Sequence, residues 1–163
     1  MDIRSDGSLD YPDEVLSRLE VVVASIHSGF EQGSERITER IVRALRNTNV
    51  DILAHPTGRL IGRREGYAVD LERVLREAAA NGAAVEINAE PDRLDLDDLW
   101  CRRAKELGVM VSVNTDAHSQ SQLTFMRYGV AVARRGWLEK KDVLNALPVE
   151  KLLSRRGRLR RAA

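Results

Sequence analysis

The sequence predicts an α/β fold in which parallel strands alternate with helices, as in a (β/α)-type barrel or part of one. Short apolar runs alternate with amphipathic segments at intervals of about 20 to 30 residues along the chain. The length of 163 residues suits one domain with a core of its own. Because connections between parallel strands are right-handed, the carboxyl ends of all strands should meet at one edge of the sheet.

Four apolar runs are predicted to be buried strands, at residues 21–26, 50–54, 83–88 and 109–113. Each is too short for an independent helix and is rich in valine, isoleucine or alanine, which is typical of strands covered on both faces. The apolar run 128–133 is a fifth strand candidate.

The segments between the strands predict helices. In residues 35–47, the apolar side chains of Ile37, Ile41 and Leu45 fall on one helical face, and Ser34 is the predicted N-cap. The other predicted helices begin near Pro12 or cover approximately residues 68–80, 96–107, 120–126, 139–146 and 149–155.

Composition favours a globular protein, with 43% hydrophobic and 31% charged residues and a net charge of +1. Cys101 is the one cysteine, which excludes a disulfide framework within the chain. No apolar run approaches the roughly 20 residues needed to span a bilayer, so no membrane association is predicted. These features favour a reducing, cytoplasmic setting.

The predicted organisation is a domain over residues 1–150 followed by a basic tail over residues 151–163. The tail contains six basic residues and no acidic ones. Such a cluster can contact nucleic-acid phosphates, and a solvated chain end explains it equally well.

Each histidine of the chain follows a predicted strand. His27 follows the first strand and His55 the second, while Asp116 and His118 come just after the fourth. Residues two apart in an extended segment point the same way, so Asp116 and His118 should converge. A single histidine is most simply a core or capping residue. The repeated placement instead favours a shared centre, because histidine nitrogens and aspartate oxygens bind zinc, manganese and iron.

Other residues at this edge extend the prediction. Arg59, four residues after His55, is a candidate phosphate contact because its planar fork suits a phosphate group, although a solvated surface arginine is an equal alternative. Asn88 ends the third strand, and Glu86 lies one layer deeper on the same face, where a structural role is expected. The sequence lacks a serine elbow, a P-loop and a dinucleotide fingerprint. Metal-assisted hydrolysis is the chemistry that this residue set supports.

Five motifs carry a resemblance to a known family. In chain order they are VVVASIHSGF, DILAHPTGR, EINAEPDRLDL, VNTDAH and GVAVARRGW. Together they closely resemble the C-terminal PHP (polymerase and histidinol phosphatase) domain of bacterial family X DNA polymerases. The first four motifs indicate a PHP domain, and the wording ASIHSGF, HPTGR, NAEPDRLDL and ARRGWL indicates the polymerase-linked branch. The resemblance covers nearly the whole chain.

The resemblance implies a partial, distorted (β/α)7 barrel of the PHP type with a cluster of manganese or zinc ions. It also implies a phosphoesterase that acts on DNA 3′ ends, as a 3′–5′ exonuclease or in 3′-end processing, next to upstream polymerase domains. By position, His27, His55, Asp116 and His118 match family metal ligands, and we predict that Asp116 and His118 are also catalytic.

The chain departs from the family pattern at its start. Domains of this kind begin with a His-x-His strand, then further ligands and a glutamate before an acidic-hydrophobic pair that matches Asp2 and Ile3. Asp2 and Ile3 are therefore expected to end a strand, and the chain is expected to be the C-terminal two-thirds of the domain, with weak activity or none. Two alternatives stay open: a histidinol-phosphate or nucleotide phosphomonoesterase, and a non-catalytic module that stabilises a polymerase or binds DNA.

Overall fold

A four-stranded parallel sheet forms the centre of the computed structural model, which describes the backbone of residues 1–160 and the side chains of residues 1–154. The strands follow one another in chain order: β1 (Val23–Ala24), β2 (Ile52–Leu53), β3 (Ala84–Asn88) and β4 (Val111–Asn114). All three strand pairs are parallel, which confirms the α/β prediction and agrees with part of a barrel. The strands are shorter than the apolar runs that predicted them.

Helices connect the strands and cover the sheet. They are α1 (Asp13–Leu16), α2 (Ser34–Leu45), α3 (Leu71–Asn81), α4 (Asp98–Glu106), α5 (Met126–Arg135) and α6 (Val149–Arg160). In the part of the chain that the structure describes, 3₁₀ turns lie at Gln120–Phe125, Lys140–Asp142 and Leu144–Ala146. Within residues 1–160 no helix is long and apolar enough to cross a membrane. Residues 155–163 of the predicted basic tail lie outside the described side chains, so the tail stays a prediction.

The predicted strand at residues 128–133 is wrong, because this run belongs to helix α5. Met126, Gly129, Val130 and Ala133 recur at helical spacing, and Gly129 and Ala133 are buried. A Cβ at Gly129 would lie 2.6 Å from Val113 Cγ1 and 2.8 Å from Ala89 Cβ. The absence of a side chain at Gly129 therefore lets α5 pack closely on the sheet.

Two helix predictions also need correction. Ser34 is the first residue of α2, and the N-cap is Gly33, which has extended backbone angles and makes no side-chain cap. The predicted helix at residues 139–146 is two 3₁₀ turns separated by Val143, whose backbone is extended. Val143 forms a parallel bridge with Val111 at the edge of β4, and this pairing interrupts the helix.

The core lies between the sheet and helices α2, α3 and α4. Ile37, Ile41 and Leu45 on the inner face of α2 are completely buried, as the sequence predicted. Val85 and Ile87 of β3 are fully buried as well. Burying aliphatic side chains of this size stabilises a fold by about 1.5–3 kcal/mol each, so the packed sheet is a rigid base for the loops at its edge.

The first residues extend the sheet beyond β1. The Ile3 amide donates to the Ser25 carbonyl at 2.8 Å, and the Ser25 amide donates to the Met1 carbonyl at 3.0 Å. Asp2 forms a parallel bridge with Ser25. Asp2 and Ile3 thus pair as the end of a parallel strand would, and Asp2 reaches the carboxyl edge of the sheet.

Candidate active site

The carboxyl ends of the strands form one edge that carries the predicted site residues, and we call this edge the rim. His27 comes three residues after β1, His55 comes two residues after β2, and Asn88 is the last residue of β3. Asp116 comes two residues after β4. The imidazole rings of His27 and His55 lie 5.3 Å apart at an interplanar angle of 63°. The parallel topology therefore brings together residues that are far apart in the sequence.

His55 has the most unusual environment of the rim histidines. It is 6% exposed, and its backbone amide donates to Glu86 Oε2 at 2.7 Å. Its Nδ1 atom is buried and has no hydrogen-bond partner in the described part of the chain. Burial, reinforced by the positive charges of Arg93 and His27, lowers the pKa of His55 to about 4. The imidazole is therefore neutral at physiological pH and offers a nitrogen lone pair.

Asp116 lies in the left-handed region at φ +52°, which turns its side chain away from the path of β4. The side-chain amide of Asn88 donates to Asp116 Oδ2 at 3.1 Å, and Asn88 itself is completely buried. Arg93 Nε lies 3.8 Å from the same carboxylate oxygen. The Asp116 carboxylate thus contacts the side-chain amide of Asn88 at the end of β3 and the guanidinium of Arg93 in the segment that follows.

His118 is exposed and is fixed by its own loop. Its Nδ1 lies 2.7 Å from the carbonyl oxygen of Asp116, and its backbone amide donates to Gln122 Oε1 at 2.6 Å. Since a carbonyl can only accept, Nδ1 carries the proton in this arrangement. The Nε2 atom is therefore the nitrogen that His118 can offer to a ligand.

His27 is exposed and contacts the first residues of the chain. Its Nε2 lies 3.1 Å from Ser25 Oγ, and its Nδ1 lies 3.5 Å from Asp2 Oδ1. The His27 backbone amide also donates to Asp2 Oδ1 at 3.3 Å. Asp2 is an additional carboxylate at the rim that the sequence prediction did not assign to the site.

Glu86 lies beneath the rim and links two of its strands. Its Oε2 accepts the His55 amide at 2.7 Å, and its Oε1 accepts the Asn114 side-chain amide at 2.8 Å. Burial raises the pKa of Glu86 to about 7, although both hydrogen bonds oppose this shift. Its position one layer deeper than Asn88 agrees with the structural role expected from the sequence.

The structure places Arg59 against the backbone of a neighbouring loop. Its Nε donates to the Arg93 carbonyl at 2.8 Å, and Nη2 donates to the Leu94 carbonyl. Its Nη1 lies 3.7 Å from Asp97 Oδ2. All three nitrogens therefore have acceptors within the protein, and the predicted phosphate contact of Arg59 stays a prediction.

Arg93 lies at the rim and was not among the residues predicted from the sequence. Its side chain is 18% exposed and lies beside Asp116. Its Nη1 is buried without a hydrogen-bond partner among the residues whose side chains are described. The signal that could have found Arg93 is a basic residue in the loop directly after the strand that ends at Asn88.

The donor set fits a divalent metal in its chemistry. His55 offers a buried nitrogen without a partner, and the His27 ring and the Asp116 carboxylate are at the same rim. Among the described side chains, however, no group of three histidine, cysteine, aspartate or glutamate residues is close enough to hold an ion. A metal at this rim therefore requires further ligands or a local adjustment of the four predicted ones.

Comparison with known proteins gives a consistent set of relatives. The chain is 51% identical over 146 residues to the DNA polymerase/3′–5′ exonuclease PolX of Bacillus subtilis, which covers 90% of the chain and 26% of the Bacillus protein. It is 32% identical over 149 residues to a protein named probable phosphatase from Thermoanaerobacter sp., covering 86% of the chain and 58% of that protein. A protein of the same name from Caldanaerobacter subterraneus is 34% identical over 122 residues, covering 69% of the chain and 46% of that protein. No protein-family model matches the chain.

The chain is thus an α/β domain that is similar to part of a protein named DNA polymerase/3′–5′ exonuclease and to proteins named probable phosphatase. The predicted resemblance to the corresponding part of bacterial family X DNA polymerases is confirmed. The phosphatase relatives agree with the PHP assignment. The chain spans about a quarter of the Bacillus relative and about half of the phosphatases, at 26%, 58% and 46% of their lengths.

Proposed function

We propose that this domain is a metal-dependent phosphoesterase that acts on DNA 3′ ends, as a 3′–5′ exonuclease or in 3′-end processing, within a family X DNA polymerase. The observation that carries the proposal is a pair of buried atoms without partners among the described side chains: His55 Nδ1 and Arg93 Nη1. The first suits a metal ion and the second suits a phosphate oxygen. A cation site next to an anion site is what hydrolysis of a phosphate ester requires. The 51% identity to the Bacillus exonuclease supports the same substrate class.

His27, His55, Asp116 and His118 are the proposed metal ligands, and manganese or zinc is the proposed metal. A bound divalent ion would supply the positive charge that activates water and stabilises phosphoryl oxygens. Burial keeps His55 neutral, and the Nδ1–H group of His118 donates a hydrogen bond to the Asp116 carbonyl. Both imidazoles therefore present a free lone pair. The remaining ligands can be water molecules or donors from another polypeptide segment, as in a complete PHP-type (β/α)7 barrel.

Asp116 and His118 are the proposed catalytic residues, and Arg93 is the proposed contact of the scissile phosphate. Arg93 Nε lies 3.8 Å from Asp116 Oδ2, and Arg93 Nη1 has no partner among the described side chains, so a phosphate bound to Arg93 would lie beside the proposed metal ligands. Arg59 supports this role, because its guanidinium holds the Arg93 and Leu94 carbonyls. A direct phosphate contact of Arg59 stays a prediction that its protein partners make less favourable.

A phosphomonoesterase is the second candidate, and the matches to proteins named probable phosphatase favour it. The same metal and phosphate groups would serve a monoester, so the rim by itself supports both substrate classes. A non-catalytic module beside a polymerase also stays a prediction, as does the cytoplasmic setting.

The proposal is tested with the purified chain, stripped of metal by a chelator and then supplied with manganese or zinc. A 5′-labelled oligonucleotide and a small phosphate monoester serve as parallel substrates. Stepwise loss from the oligonucleotide 3′ end that is abolished in His118→Ala supports the proposal, and Arg127→Ala serves as an exposed control that should retain activity. Hydrolysis of the monoester alone would favour the phosphatase. Metal binding with no hydrolysis of either substrate would favour the non-catalytic module.

A further inference from the structure

Asp95 has no role in the proposed chemistry, yet it contacts both the loop that follows His55 and the end of β3. Its side chain is fully buried and lies against the loop that follows His55. Oδ2 accepts the Thr57 amide at 3.0 Å and the Gly58 amide at 2.9 Å. A buried carboxylate that accepts backbone amides from another loop fixes that loop in position.

The loop after His55 has an unusual backbone conformation that needs such support. His55 lies in the left-handed region at φ +30°, where residues other than glycine are rare, and Gly58 has φ +64°. The Gly58 amide also approaches the His55 carbonyl at 2.9 Å, which closes a tight turn. This turn directs the Thr57 and Gly58 amides towards Asp95. The backbone of His55 is therefore held from one side by Glu86 and from the other by Asp95.

The main chain of Asp95 makes a second connection. Its carbonyl accepts the Asn88 amide at 2.5 Å, and its amide donates to the Asn88 carbonyl at 3.2 Å. Asn88 in turn donates its side-chain amide to Asp116 at 3.1 Å. Asp95 thus connects the loop that bears His55 with the residue that holds Asp116.

We propose that Asp95 is a positioning residue that sets the distance between His55 and Asp116 by clamping the Thr57–Gly58 turn onto the end of β3. The expected effect of this clamp on hydrolysis rests on the proposed function, whereas its effect on the position of His55 does not. Burial raises the pKa of Asp95 to about 6, and the two amides and Arg59 oppose this shift. The carboxylate form is therefore the one that the clamp stabilises.

The choice of variants separates positioning from folding. Asp95→Asn can place its amide oxygen where Oδ2 lies and accept both backbone amides, so we expect it to retain the clamp. Asp95→Ala removes both hydrogen bonds. Asp97→Ala is the matched control, because Asp97 lies two residues away and its side chain caps α4 by accepting the Trp100 amide at 2.9 Å. Asp97→Ala removes this cap and the 3.7 Å contact of Asp97 with Arg59 Nη1, which lowers stability, but it leaves both hydrogen bonds of the Thr57–Gly58 turn to Asp95 in place.

The experiment follows the three imidazoles of the metal-free chain by nitrogen-15 NMR, since the chain has three histidines. We expect the His55 signals to move in Asp95→Ala and to stay near wild type in Asp95→Asn and Asp97→Ala. With manganese added, Asp95→Ala should bind the metal at least several-fold more weakly. Unchanged His55 signals in a folded Asp95→Ala protein would overturn the proposal, whether or not the chain hydrolyses DNA.

If Asp95→Ala does not fold, hydrogen exchange in the unmodified protein decides the question. Asp95 is the acceptor of the Thr57 amide, so this amide should exchange slowly, and at a similar slow rate in Asp95→Asn. Exchange of the Thr57 amide at the rate of an open loop would show that no clamp exists.

Discussion

The side-chain amide of Asn88 donates to Asp116 Oδ2 at 3.1 Å and thereby joins the end of β3 to the loop after β4. Asn88 is completely buried, and its Oδ1 accepts the Glu90 amide at 3.1 Å. Both polar ends of the side chain are therefore used. This hydrogen bond holds the Asp116 carboxylate at the rim together with the neighbouring guanidinium of Arg93.

Replacing Asn88 with alanine should destabilise the protein by about 1–3 kcal/mol, because it leaves buried polar groups without partners. It should also weaken manganese binding, since the Asp116 carboxylate loses its fixed donor. Urea unfolding and a metal titration measure the two effects. Asn81→Ala, which removes a side-chain contact at the end of α3, is the control and should leave metal binding unchanged. Equal metal affinity in Asn88→Ala and wild type would refute the linkage.

Asp116→Ala in the proposed parent polymerase should abolish 3′–5′ hydrolysis while sparing nucleotide addition. The reason is that Asp116 is a proposed ligand at the rim, whereas nucleotide addition belongs to other domains in the proposed parent protein. Primer extension and degradation assays on the same preparation give both rates. An unchanged exonuclease rate would rule out Asp116 as a catalytic residue.

Arg93→Ala should lower the rate of phosphate ester hydrolysis by about tenfold or more, which corresponds to about 1.4 kcal/mol of lost transition-state stabilisation. Arg93→Lys should recover only part of this loss, because lysine keeps the charge but not the planar fork. Arg63→Ala is the control, since Arg63 is an exposed partner of Asp92 in an adjacent loop. A wild-type rate in Arg93→Ala would exclude Arg93 as the phosphate contact and leave Arg59 as the candidate.

Glu86 should make stability fall as pH rises, because the folded protein raises its pKa from 4.5 to about 7. Between these values the folded state retains a proton that the unfolded chain releases, so stability is full below pH 4.5 and is lost towards pH 7. This shift in the pKa of Glu86 corresponds to about 3 kcal/mol in the free energy of unfolding. The stability of Glu86→Gln relative to wild type should therefore increase by up to this amount from pH 4.5 to 7.5, measured by urea unfolding. A difference that is constant with pH would contradict the raised pKa.

Gly129→Ala should destabilise the fold by about 1–3 kcal/mol, because the added methyl group has no space between α5 and the sheet. The ideal Cβ lies 2.6 Å from Val113 Cγ1 and 2.8 Å from Ala89 Cβ. Gly33→Ala is the control, since an added Cβ there has no neighbour within 4 Å. Thermal unfolding of both variants measures the effect, and equal melting temperatures would show that α5 can move away from the sheet.

The alternation of strands and helices could be predicted because it depends on local patterns. Apolar runs before His27, His55, Asn88 and Asp116 and amphipathic segments between them are visible residue by residue. The right-handed connection rule then places these four residues at one edge. The structure confirms the parallel sheet, while the metal-binding and catalytic roles of these residues stay predictions.

The run at 128–133 shows where local patterns become ambiguous. A short apolar run suits a strand and a buried helix equally well, and its length does not decide between them. The close packing of Gly129 on Val113 and Ala89 favours the helix. This contact joins segments that are distant in the sequence, so a local sequence pattern does not predict it.

The sequence by itself determined the order of the four parallel strands and the placement of His27, His55 and Asp116 after the first, second and fourth of them. Only the tertiary structure decided which groups surround them, namely Arg93 beside Asp116 and Asp95 against the turn after His55. The physical reason is that these partners meet through contacts across about 20 to 40 positions of chain, as for Asp95 and Thr57, which are 38 residues apart. Periodicity encodes which face of an element is buried, whereas the partner of a particular polar atom depends on how the packed elements meet.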